Sequence, residues 1–213
     1  MIVWGIVLLI VSYLLGSVPT AVWVGQTFYG KDVRDFGSGN AGATNTFRVL
    51  GKKAGIPVLI IDALKGWVAV MLPVWFLGGF DSPVLFENFR VLCGALAVFG
   101  HVFPVFAGFR GGKGVATLLG IAFGMFPIAA LSGVGLFLLV LLLTHYVSLG
   151  SILASIGYGL FLLLVEKVHH DATILFALTI PVLVILTHTA NIRRLINGNE
   201  SRTFLGRGNR SRN

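Results

Sequence analysis

Charge is scarce in this chain. Of its 213 residues 11% are charged, against about 25% in a typical soluble domain, and the mean hydropathy is +0.91. That shortage excludes an ordinary soluble globule and implies an integral membrane protein. Cysteine is nearly absent. The single Cys93 lies inside an apolar run, so neither an intrachain disulfide nor a cysteine metal site is available. No cluster of histidine and carboxylate suggests a metal, and no cofactor is expected. Residues 1–25 carry no basic segment ahead of their apolar run, so they are expected to stay as a span rather than leave as a signal peptide. No internal repeat of the transporter kind stands out.

What is present is long apolar runs. About 20 mostly apolar residues make a spanning helix. Seven such segments are legible, 3–25, 54–78, 88–107, 114–130, 132–146, 148–166 and 172–192. Gly16, Ser17 and Pro19 predict a kink in the first. Val115 to Thr144 is apolar throughout and too long for one ordinary span. Pro127 and the small residues Ala129, Ala130, Ser132 and Gly133 predict a turn there. Of the 16 basic residues, all but Lys65, Arg90 and Lys167 fall in 30–53, in 108–113 or from 193 onward. Seven spans gather these on one side and leave Asp81, Glu87, Glu166 and Asp171 on the other. The positive-inside rule then puts the basic side in the cytoplasm and the N-terminus outside, extracellular or periplasmic. The expected fold is an all-α, seven-helix membrane domain over 1–200 with a cytoplasmic C-terminus. Residues 201–213 are expected to form a basic, flexible, lipid-facing tail. The net charge of +8 suits lipid head groups or a phosphorylated substrate. Nucleic acid is not expected, because the cations lie at loop ends between spans, and a monomer is.

Two polar stretches invite chemistry. Gly108-Phe109-Arg110-Gly111-Gly112-Lys113-Gly114 packs four glycines and two cations into seven residues. Glycine lets backbone N–H groups turn toward one point. Arg110 adds a forked donor and Lys113 a point charge. A helix starting near Val115 adds its partial positive end. This pattern suits phosphate. It is not a nucleotide P-loop, because Ala107 stands where the first glycine belongs and Gly114 where Ser or Thr should follow the lysine. The second stretch, 36–45, interleaves Gly37, Gly39 and Gly42 with Ser38, Asn40, Thr44 and Asn45, all small donors. Arg48 lies one turn beyond Asn45. Further on, His188 and Asn191 share a helix face. Ser148 and Ser151 supply hydroxyls after Tyr146, though such groups often bond their own helix. Asp62 and Lys65 can pair on one face, either as a functional site within a span or as a structural bridge. His101 reads as a packing residue, and His169 and His170 as incidental on the outer loop. No histidine is followed five positions later by aspartate, and no Gly-x-Ser-x-Gly elbow occurs.

Several of these motifs recur together in one family. They are Gly37-Ser38-Gly39-Asn40, Gly42-Ala43-Thr44-Asn45 with Arg48, Asp62-Ala63-Leu64-Lys65-Gly66, and Gly100-His101. The series continues with Gly108 to Thr117, Tyr146 to Ser151, and His188, Asn191 to Leu195, Gly198 and Glu200. In order and spacing they resemble the bacterial acyl-phosphate–glycerol-3-phosphate acyltransferases over nearly the whole chain. The resemblance implies transfer of an acyl group from acyl phosphate to glycerol 3-phosphate, the first acylation of phospholipid synthesis, at the cytoplasmic face of the bacterial inner membrane. It implies Ser38, Arg48, Lys113, His188 and Asn191 as catalytic residues. It implies Gly37, Gly39, Asn40, Thr44, Asn45, Arg110, Gly111, Gly112, Gly114, Ser151 and Glu200 as substrate ligands. Ala41 stands where that family is expected to have proline. No side chain is an obvious general base. A substrate phosphate oxygen or His188 is left for that task. A phosphate or organic-anion transporter is the alternative. Against it, the candidate ligands gather on one side rather than at mid-membrane.

Overall fold

The computed structural model describes residues 2–203, and among these the ordered structure is helical, with no strand. The chain runs α1 (Ile2–Ser17), α2 (Thr20–Tyr29), α3 (Ala43–Leu50), α4 (Lys52–Leu77), α5 (Pro83–Val102), α6 (Val115–Met125), α7 (Pro127–Thr144), α8 (Val147–Leu164), α9 (Asp171–Thr187) and α10 (Thr189–Ile196). By length and composition α4, α5, α7 and α8 can each cross a membrane. The pairs α1–α2, bent by 44°, and α9–α10, bent by 63°, make up to two more. Their outer faces are apolar, as at Ile128, Leu131, Leu142 and Leu143 of α7. With the family evidence given below, this is a multi-pass membrane protein.

Breaks in the helices follow local chemistry. Pro19 lacks an N–H and disfavours helix at the residue before it, so the first span kinks at Val18, as expected. The third span begins at Pro83 rather than 88. Ser82 caps it by accepting from the Leu85 N–H at 3.4 Å, and Pro83 tolerates the first helical position. Glu87, expected in a loop, therefore lies in α5. The turn expected near 130–132 falls earlier, at Phe126, because Pro127 opens α7. Ala129 and Ala130 are instead buried in the core. In the stretch 30–53, read as loop, residues Ala43–Leu50 form α3.

Helix α6 has 11 residues, about 17 Å, well short of the ~30 Å hydrocarbon core. It is held by close approach to α4. A side chain at Gly120 would strike the Ala63 carbonyl, and one at Gly66 the Thr117 carbonyl. Such backbone contact is how helices associate where lipid replaces water. The far end of α6 is closed by Arg90 of α5, whose guanidinium donates to the Gly124 carbonyl at 2.7 Å and the Val70 carbonyl at 3.0 Å. A helix end away from water needs such a partner.

The connections sort to two ends. At one, Thr173 donates to Glu87 at 2.8 Å, His170 lies 3.6 Å from the same carboxylate, and Ile2 and Ile6 line a cavity with Phe80, Asp81 and Leu85. At the other lie the glycine-rich loops, the α7–α8 turn and the stretch after α10. Arg202 and Thr203, expected in a flexible tail, are docked there. Arg202 donates to Tyr146 at 3.2 Å and the Thr203 N–H to the His145 carbonyl at 2.7 Å. The rest of the expected tail lies outside the described residues.

Candidate functional site

Lys113 is the centre of this second end. It leaves the loop immediately before Gly114, which opens α6 with φ +78° and no side-chain cap. The first amides of α6 are thereby left open to an anion. The Lys113 ammonium donates to Asn191 Oδ1, across 78 residues of sequence. Asn191 in turn donates to Glu200 Oε1 at 2.6 Å, and Ser148 donates to the same oxygen at 2.8 Å. Arg194 holds Glu200 Oε2 at 2.7 Å. Burial works to raise the Glu200 pKa, but the bonds from Asn191, Arg194 and Ser148 outweigh it and hold the carboxyl below its usual range. Burial pushes the Lys113 ammonium down to about 8. Glu200 opposes that shift, and the nearby charges of Arg194 and Arg48 add to it. Of the nearby cations, Arg194 pairs with Glu200, Lys113 reaches it through Asn191, and Arg48 stands close enough for its charge to be felt at Lys113. Arg48, half-buried, makes no ion pair or hydrogen bond among the described residues. Positive charge is therefore in excess at this end.

His188 is buried one turn before Asn191. Its Nδ1 lies 2.8 Å from the Val184 carbonyl. A carbonyl only accepts, so Nδ1 carries the proton and Nε2 keeps a lone pair. The bend between α9 and α10 turns this face toward the loops.

The glycine loops behave differently from the sequence expectation. The Gly111 and Gly112 amides do not face an anion. They donate to the Val102 and His101 carbonyls at 3.2 and 3.1 Å, satisfying the last turn of α5. These glycines serve instead by close approach. A side chain at Gly112 would meet the His101 ring and, at 3.1 Å, the Ala41 carbonyl. Asn45 is also committed internally. Its amide donates to the Val33 and Phe36 carbonyls at 2.7 and 3.1 Å and accepts from the Ser38 N–H at 2.9 Å. Gly37, with φ +62°, permits that tight turn, and a side chain there would strike Asn45. Asn45 therefore shapes the loop that presents Ser38, Asn40 and Thr44. Gly39, with φ +70°, continues the turn. Ser38, Thr44 and Arg110 are exposed. Ser151 donates to the Val147 carbonyl of its own helix at 2.9 Å, and it is Ser148, three residues earlier, that enters the network.

Sequence reasoning named Ser148 only as a hydroxyl liable to bond its own helix, and it gave no role to Arg194 or Arg34. The first two share helix faces with Ser151 and Asn191 at a spacing of three, a signal that could have found them. Arg34 gave none. Its guanidinium binds Asp32 at 2.7 Å and reaches over to donate to the Ala107 carbonyl at 2.8 Å and the Arg110 carbonyl at 3.3 Å. It staples one glycine loop to the other. A lysine cannot make that fork. Arg34→Lys is expected to stay folded and to bind inorganic phosphate about tenfold more weakly by calorimetry, the loss of one charged hydrogen bond.

Comparisons with known proteins identify the family. The family model described as glycerol-3-phosphate acyltransferase matches residues 6–198. A glycerol-3-phosphate acyltransferase 2 of Bacillus anthracis is 46% identical over 197 residues, 92% of this chain and 98% of that one. The glycerol-3-phosphate acyltransferase of Chlorobium phaeobacteroides strain BS1 is 43% identical over 227 residues, 92% and 95% of the two chains. Two crystal structures of PlsY, an integral membrane glycerol 3-phosphate acyltransferase, superpose on this fold. The glycerol 3-phosphate form has a TM-score of 0.84 at 41% identity, covering 94% of this chain and 96% of that one. The lysophosphatidic acid form has a TM-score of 0.79 at 39% identity, covering 94% and 95%. With a helical membrane fold, a surplus of cations at one end, and relatives matched along nearly their full lengths, the chain belongs to the glycerol-3-phosphate acyltransferase family.

Proposed function

We propose that this protein transfers a fatty acyl group from acyl phosphate to the sn-1 hydroxyl of glycerol 3-phosphate, releasing lysophosphatidic acid and inorganic phosphate. The observation that carries the reading is the chain Lys113–Asn191–Glu200–Arg194 at the open start of α6, where two cations share one carboxylate. Both substrates bring a phosphate, and both need positive charge to approach each other. Acyl phosphate is a mixed anhydride whose leaving group is already good. The enzyme's task is then to hold two phosphates close, orient the hydroxyl and stabilise the carbonyl oxygen.

In the proposed step the glycerol hydroxyl oxygen attacks the acyl carbonyl carbon and the carbon–oxygen bond to phosphate breaks. The hydroxyl proton leaves on the departing phosphate. Lys113, with the α6 amides, holds phosphate charge. Arg48 and Arg110 guard the entry, and Ser38, Asn40 and Thr44 supply hydroxyl and amide partners. Gly37 and Gly39 permit the turn that presents Ser38, Gly111 and Gly112 hold the loop against the end of α5, and Gly114 opens α6 toward the substrates. Asn45 and Ser151 act through the elements they shape. Asn191 and Glu200 fix Lys113, and His188 Nε2 accepts from the other hydroxyl of glycerol 3-phosphate, which orients the attacking one.

The proposed topology is seven passes by a monomer, as one domain over 1–200, with α6 as the short pass. The N-terminus lies outside and the site faces the cytoplasm across the bacterial inner membrane. The sorting of connections to two ends supports this, as does the gathering of cations on the site end.

The test is purified protein in detergent with acyl phosphate and glycerol 3-phosphate. Phosphate release with lysophosphatidic acid formation is expected, and absence of release overturns the reading. Acyl-CoA in place of acyl phosphate is expected to give no product. His188→Gln separates orientation from base catalysis. A fall of less than about tenfold in kcat is expected, whereas removal of a general base costs about 10²–10⁴-fold.

A further inference from the structure

Beneath the anion loop lies a buried polar cluster that the proposed reaction does not use. Asp62 and Lys65 of α4 pair at 2.8 Å, both almost wholly buried. Lys65 also donates to the Val18 carbonyl at 3.0 Å, at the kink between α1 and α2. Thr20, the first residue of α2, donates to Asp62 at 3.0 Å. His101, the penultimate residue of α5, places Nδ1 3.9 Å from the same carboxylate and 3.3 Å from the hydroxyl of Thr117 in the first turn of α6. A cavity of about 10 Å³, room for roughly one water, lies between Asp62, Lys65, His101 and the backbone of Gly111 and Gly112.

A buried ion pair is weak evidence of stability, since desolvation offsets much of its attraction. What this pair does is join four elements. Its position is fixed by contacts that leave no room for side chains at Gly66 and Gly120 between α4 and α6, and at Gly100 against Tyr13 and Ser17. His101 is the pivot. Its carbonyl takes the Gly112 N–H, its ring sits against Gly112, and its other nitrogen meets Thr117. Lys113 is the next residue after Gly112 and α6 begins two residues later. The backbone carrying the ammonium is therefore clamped from both sides by groups on one histidine.

We infer that the Asp62–Lys65–His101–Thr117 cluster is a positioning device that sets the placement of Lys113 and of the α6 amides against a bound phosphate. The inference rests on the phosphate reading of the Lys113 site. None of the four residues touches the reacting atoms. They act through Gly111, Gly112 and the first turn of α6.

The test uses the full-length protein with Thr117→Val, which keeps the side-chain shape and removes the hydroxyl, and Thr117→Ser, which restores it. Three quantities are measured: Kd for inorganic phosphate by calorimetry, kcat and KM for glycerol 3-phosphate, and melting temperature. The Val variant is expected to melt within a few degrees of the parent. Its phosphate Kd is expected to rise about tenfold and kcat to fall by a similar factor, as small misplacements do. Ser is expected to bring both back. A Val variant with unchanged Kd and kcat overturns the inference, and so does a defect that Ser does not repair. Thr117→Ala is carried in parallel, so that a folded variant lacking the hydroxyl is compared in any case. If the parent binds phosphate but does not turn over, the acyl-transfer reading fails, while the comparison of phosphate Kd still decides the positioning role.

Discussion

Lys113→Ala is expected to leave a folded protein whose turnover falls by about three orders of magnitude, the upper range for removing one preorganised charge-stabilising donor. Lys113 is half-buried and faces Asn191. Arg110 lies on the surface and Arg194 is held by Glu200, so Arg48 is the one neighbouring cation left among the described residues, and it makes no bond to Asn191. Folding should survive, since the lysine contributes one hydrogen bond to a network that Arg194 and Ser148 continue to hold on Glu200. The variant is read by phosphate release and by melting temperature together. A folded variant with near-parent activity overturns the assignment. The parent itself carries a pH signature of the same residue. A phosphate favours the charged ammonium, which in the free protein deprotonates at about 8. Affinity for glycerol 3-phosphate is therefore full below that pH and falls as pH rises through it, by up to about tenfold per unit. In Lys113→Arg that alkaline limb is expected to disappear, because guanidinium stays charged.

Gly120→Val is expected to destabilise the folded protein severely rather than to slow it. The new side chain would land on the Ala63 carbonyl and within 2.9 Å of the Trp67 nitrogen, both backbone atoms that no rotamer change can move aside. Helices α4 and α6 would have to separate along their whole contact. That separation opens the core around Val70, Leu118 and Ile121 and leaves Arg90 unable to bind Gly124 and Val70 at once. Overpacking alone costs about 1–3 kcal/mol, and a lost buried partner for a charged group adds about as much again. Against a typical total stability of 5–15 kcal/mol, the expected outcome is aggregation on detergent extraction. A monodisperse Gly120→Val protein with parent-like melting would show that α6 is not seated as described.

Helix order and the sidedness of charge were legible in the sequence, because twenty-residue apolar runs and loop cations are imposed by the bilayer and need no tertiary knowledge. The family resemblance also named Lys113, Asn191 and Glu200, which the structure joins, although nothing in their spacing says that they touch. Other features had no local sign. The break at Phe126 was read several residues late because small residues mark turns and helix contacts alike, and here Ala129 and Ala130 make contacts. Which amides of the glycine loop stay free depends on where the end of α5 lies. The Gly111 and Gly112 amides were assigned to the anion when they belong to His101 and Val102. Arg34 looked like one more cytoplasmic cation. Only the folded chain shows its fork across to Ala107 and Arg110.

The length of α6 has a consequence for where the two substrates meet. Helices α6 and α7 share the turn at Phe126 and have 11 and 18 residues, so when they run side by side their other ends differ in height by about 10 Å. Lys113 stands at the lower of those ends. Under the proposed activity one reagent dissolves in water and the other in lipid, and neither phase alone contains both. On that proposal, a short helix with its positive end below its neighbour's would let the aqueous reagent reach inward toward the lipid-borne one. The protein would then act as a phase-transfer catalyst, with membrane thickness a variable of the reaction. Nanodiscs of graded acyl length offer a direct way to vary that depth.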